Sequence, residues 1–112
     1  INGPAHNARV SFSDSRAASG WDAPTREEWL DHALTEASLA TFGTAARNFG
    51  EGGSIPFMGM LGRRYPAALF VITGVLGPGS NAHGPNEFLH IDCAKKLTAA
   101  MSLILSAHAS RP

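Results

Sequence analysis

The sequence predicts an α/β fold, and three observations lead there. Residues 25–42 carry apolar side chains at helical spacing. Residues 68–73, Ala-Leu-Phe-Val-Ile-Thr, are continuously apolar until Thr73. A second helical pattern spans residues 92–108. A short unbroken apolar run between helical segments is the pattern of a strand covered on both faces, typical of the middle of an α/β sheet.

Along the chain, residues 8–13 alternate around Val10 and Phe12, which predicts a short half-buried strand. Residues 14–24 are rich in Ser, Ala, Gly and Asp and form a connector whose one large anchor is Trp21. Thr25 and Glu28 have the spacing of a capping box, so the first helix is expected to begin there and to stop at Gly43. Its apolar face is Trp29, Leu30, Ala33, Leu34, Ala37 and Phe42. Residues 44–50 are expected to be extended. Ser54 is the candidate N-cap of a short helix with Pro56 in its first turn, ending near Gly62 or Arg64. The apolar run at 68–73 leads into a long loop, 74–90. The last helix presents Leu97, Met101, Ile104 and Leu105.

From Thr25 onward the order is that of an α/β domain. The strand around Val10 stands apart, and a lone strand needs partners to satisfy its edges. The opening Ile1-Asn2-Gly3-Pro4 has no basic region before an apolar core and is not a signal peptide. It reads as a chain entered in its middle, so a fragment of a larger protein is expected.

Composition narrows the function classes. Nine basic residues balance nine acidic ones, whereas a nucleic-acid surface usually needs a basic excess. No apolar run approaches the roughly 18 residues of a membrane span. The single Cys93 excludes an intrachain disulfide and fits a reducing compartment. Charged residues make up 16%, low for so small a domain; a surface covered by something else and chance variation both account for this.

Two segments could carry chemistry. The first is the loop around His83, which follows the expected buried strand, where α/β proteins place their sites. A neutral imidazole held between small and rigid residues suits zinc, with Asn86 and Glu87 near enough to orient it. Taken alone, the exposed loop histidine is the favoured reading of His83, since one His and one Glu make no metal site. The second is Glu51-Gly52-Gly53-Ser54. Two glycines before a helix start let backbone N–H groups converge, an arrangement suited to a carboxylate or phosphate. A plain N-cap after a glycine turn is the alternative. Neither a phosphate-binding P-loop ending nor a Gly-x-Ser-x-Gly elbow is present. His6, His32, His90 and His108 are weaker candidates, and Cys93 has the neighbours of a core residue.

Together, Glu-Gly-Gly-Ser-Ile-Pro at 51–56 and Ala-His-Gly-Pro-Asn-Glu at 82–87, in that order and flanking an apolar run, resemble the M20 metallopeptidases. The nearest branch resembles the carnosinase-like dipeptidases. The resemblance implies the C-terminal part of a zinc-peptidase-like catalytic domain, with helices on a mixed, mostly parallel sheet, plus the last strand of an α+β lid domain. Residues 1–14 would be that lid strand, 15–24 the hinge, and 25–112 catalytic domain. It implies two zinc ions, or other divalent metals, per complete site, with His83 as the last metal ligand. It also implies that Gly52, Gly53 and Ser54 bind the carboxylate of a small peptide substrate. The bridging Asp, the other ligands and the general-base Glu have no counterpart here and would belong to the rest of the polypeptide or a complementing chain. A homodimer through the lid and a cytoplasmic location are further implications. The family's substrate-contacting lid histidine and arginine are also missing. Gly50 stands where carnosinase-like members often carry Arg, which leaves substrate preference open. The rival expectation is a non-catalytic α/β module that binds a carboxylate or a partner.

Overall fold

A computed structural model describes residues 9, 11, 20–50 and 56–111. Its regular elements are α1 (Glu28–Phe42), α2 (Pro56–Arg64) and α3 (Ile91–Ala109). Helices α1 and α3 pack against each other. They run antiparallel: Trp29 at the start of α1 meets the His108 ring near the end of α3, and Lys96 near the start of α3 lies over Phe42 at the end of α1.

The seam between them is built from small residues around two larger ones. Leu30, Ala33 and Ala37 of α1 and Ala100 and Ile104 of α3 are the buried apolar side chains. Alanine at a helix contact lets two backbones approach closely, because interaxial distance is set by the side chains between them. Trp29, Leu34 and Met101 close the edges of this cluster. At one end Trp29 is held three ways. Its Nε1 donates to Glu27 Oε2 at 2.8 Å, the His108 ring meets it edge-on at 5.4 Å, and the Arg111 guanidinium lies 4.9 Å from its centroid.

The helix ends differ from expectation at one cap and agree at two. The N-cap of α1 is Glu27, in extended conformation and without a side-chain capping bond, so the expected box between Thr25 and Glu28 does not form. Neighbouring side chains are engaged locally instead: Glu27 accepts from Trp29, and Arg26 Nε donates to Asp31 at 2.6 Å. Glu28 and Asp31 still place negative charge on the first turn, where the helix dipole favours it. Gly43 stops the helix as expected, at φ 74°, with its N–H on the Leu39 carbonyl at 3.0 Å. Helix α2 ends at Arg64, with Arg63 and Arg64 exposed. In α3 the apolar face is shifted from the one expected. Ala100 is buried and Leu97 and Met101 are partly covered, whereas Leu105 is 65% exposed. Positions 97, 100, 101 and 104 keep the i, i+3, i+4, i+7 stripe, and Leu105 lies about 40° beyond its edge at Met101.

The α/β expectation is corrected. Among the described residues there is no strand and hence no mixed, mostly parallel sheet; the regular structure is helical. Residues 68–73 do alternate: Leu69 and Val71 pack on the α1–α3 cluster, Phe70 meets Trp21 edge-on at 5.1 Å, and Ile72 is 54% exposed. The segment therefore packs on the helix pair by one face only, whereas the apolar run predicted a strand covered on both. A sheet also needs a neighbouring backbone, and residues 69–76 make no backbone–backbone hydrogen bond among the described residues. Residues 44–50, expected to be a short strand, are likewise without one and are exposed. The strand expected at 8–13 lies outside the described residues except for Arg9 and Ser11, and neither of these is in a strand.

Trp21 anchors the connector. Beyond Phe70, its indole fills the space above Gly62 of α2, where an added Cβ would lie 2.6 Å from Nε1. The overall packing is loose for this length. The Cα radius of gyration is 19.2 Å, against about 13 Å for a compact domain of this size. Among the described residues, Leu30 is the one large side chain that is fully buried.

The two leucines make opposite predictions. Leu30→Ala should lower unfolding free energy by about 2–4 kcal/mol, whereas Leu105→Ala should change it by less than about 0.5 kcal/mol. Urea unfolding followed by circular dichroism distinguishes them, and equal losses would refute this assignment of the α3 face.

Candidate functional site

The loop that carries His83 is constructed from turns, each with a local reason. Gly77-Pro78-Gly79-Ser80 closes with Ser80 N–H on the Gly77 carbonyl at 3.1 Å. Proline presets the second position and Gly79 takes the third at φ 78°, the arrangement of a type II turn. Ser80 is 3% exposed and ties the loop at both ends. Its Oγ accepts from Gly77 N–H at 2.8 Å, and its carbonyl accepts from Phe88 N–H at 3.1 Å. Residues 81–87 are thereby held as an excursion between two fixed ends.

Within that excursion three non-glycine residues are left-handed: Asn81 at φ 54°, His83 at φ 62° and Asn86 at φ 57°. Asparagine tolerates this region, because its short polar side chain bonds nearby backbone; histidine does so less often. Asn81 supplies much of the compensation. Its carbonyl accepts from Gly84 N–H at 2.9 Å, and its carboxamide donates to the Pro85 carbonyl. Gly84 makes room for that carboxamide, since an added Cβ would lie 2.7 Å from both its nitrogen and its oxygen. Glu87 Oε2 accepts from His83 N–H at 3.1 Å.

The imidazole of His83 is exposed and makes no hydrogen bond among the described residues. Glu87 thus contacts the histidine through its backbone rather than its ring. Asn86 is exposed and makes no side-chain hydrogen bond among those residues; its part in the loop is its positive φ. The substrate-binding candidates Gly52, Gly53 and Ser54 lie outside the described residues. Their flanks are described: Gly50 and Met58 line one open cleft of about 380 Å³, together with Trp21, Asp22, Arg47 and Ile72.

The donor set is small. Among the described residues, no three of His, Cys, Asp and Glu come together to hold a metal ion. A zinc site takes at least three protein ligands. His83 alone offers an imidazole, and Glu87 has one oxygen committed to an amide. These residues do not fit a complete zinc centre, so no chemical step is derived through a metal.

No protein-family model and no curated protein matches the chain.

Of the remaining candidates, His6 lies outside the described residues, and His90 and His108 have structural roles. His90 caps α3, its Nδ1 accepting from Cys93 N–H at 3.2 Å, and its ring packs over Gly77. That bond joins the end of the loop to the start of the helix. Cys93 is a free, partly buried thiol in the first turn of α3. His108 packs on Trp29, and His32 is exposed. Sequence reasoning missed Ser80 and Asn81, the two residues on which the loop's closure rests. The Pro-Gly pair before Ser80 and the Asn-x-x-Gly spacing at 81–84 are turn signals that could have found them. It also missed Arg47, a cation lining the cleft together with Asp22 and Gly50.

Two substitutions probe this construction. Ser80→Ala leaves the Gly77 N–H without its acceptor and should cost about 1–3 kcal/mol, measured by urea unfolding. Gly84→Ala should expel the Asn81 carboxamide and cost about one hydrogen bond, roughly 1 kcal/mol. Amide hydrogen exchange should then accelerate at Gly84 and His83 while α1 stays protected. Unchanged exchange would mean that the carboxamide does not hold the loop.

Proposed function

We propose that this chain contributes the His83 loop and the glycine turn at 52–54 to a metal-dependent hydrolase of the M20 metallopeptidase type, acting on dipeptides or related amides. The observation that carries the reading is the loop itself. Turn chemistry encoded in residues 77–88 holds His83 left-handed between two fixed ends and leaves its imidazole exposed. A ligand presented this way loses little freedom on binding a metal, which is the benefit of preorganisation. The motif resemblance at 51–56 and 82–87 supplies the family; the loop geometry supports the role of one residue within it.

In this reading His83 would bind one of two zinc ions, with Glu87 holding the backbone N–H of the residue that carries the ring. In the same reading Gly52, Gly53 and Ser54 would receive the substrate's carboxylate. A zinc centre completed by residues outside this chain would supply a water acidified toward neutrality. The general base and the other ligands belong to polypeptide outside this chain. The exposed apolar side chains support such a larger assembly: Phe49 is 84% exposed, Ile91 62% and Leu76 59%. The assembly would be a cytoplasmic homodimer. No helix among the described residues is long and apolar enough to cross a membrane.

Two measurements test the proposal. The 112-residue chain alone should hydrolyse no dipeptide in the presence of added zinc. Turnover by the chain alone would show that it carries its own base and ligand set. In a protein that joins this chain to the remaining ligands, elemental analysis should find about two zinc ions per subunit. His83→Ala should there lower both metal content and rate, by about 10-fold or more. Full zinc content and full activity in that variant would remove His83 from the site.

A further inference from the structure

We draw no further inference here: the strongest candidate, the open apolar slot between residues 44–49 and 70–74 above α1 and α3, is floored by Leu34, Ala37, Leu97 and Met101, but nothing in the structure shows what covers it.

Discussion

The close approach of α1 and α3 is the constraint on which the other described segments depend. It rests on Ala33, Ala37 and Ala100, whose small side chains let Leu30 and Ile104 fill the seam. The apolar segment, Trp21 and α2 are referred to that pair in turn. Leu69 and Val71 lie against it, Phe70 of the same segment receives Trp21, and Trp21 in turn seats α2 through Gly62. The hierarchy is shallow, because few large side chains are fully removed from water. Burying a leucine or isoleucine contributes about 1.5–3 kcal/mol, while fixing each backbone residue opposes folding by about 1–2 kcal/mol. With so small a core, the longer-range order of the chain leans on local devices such as caps, turns and edge contacts.

The His83 loop shows how much such devices accomplish. It needs no support from the seam to have a shape. Pro78 and Gly79 set one turn, Ser80 binds both ends, and Asn81 answers the backbone groups that the excursion would otherwise leave free. His90 then passes this order to α3 by capping it. The candidate ligand is therefore fixed relative to a helix N-terminus, although its ring has no partner among the described residues. A rigid backbone with a free imidazole is a suitable way to offer a ligand, and it is also why the loop by itself does not make a metal centre. Coordination needs several donors converging on one point, and convergence depends on how separate segments are arranged.

Local signals were legible to the extent that their causes were local. The stop at Gly43 follows from the ease with which glycine turns left-handed, and the extents of α2 and α3 follow from periodicity and end chemistry. The Thr25–Glu28 box does not form because α1 starts two residues later than expected, with Glu27 as its N-cap and Glu28 in the first helical position. Leu105 was misplaced because apolar character does not distinguish the middle of a helical stripe from its margin. The glycine turn at 52–54 lies outside the described residues, so its legibility rests on the pattern of residues alone.

The sequence by itself determined the three helical segments, the turns at 77–84 and the exposure of a histidine on a constrained loop, since each depends on residues within a few positions of one another. Only the tertiary structure decided the fate of the apolar run at 68–73. Its composition matched a buried strand, and its side chains do alternate across the helix pair. A strand, however, is defined by a neighbouring backbone that completes its hydrogen bonds. No run of side chains encodes that neighbour, and among the described residues none is present.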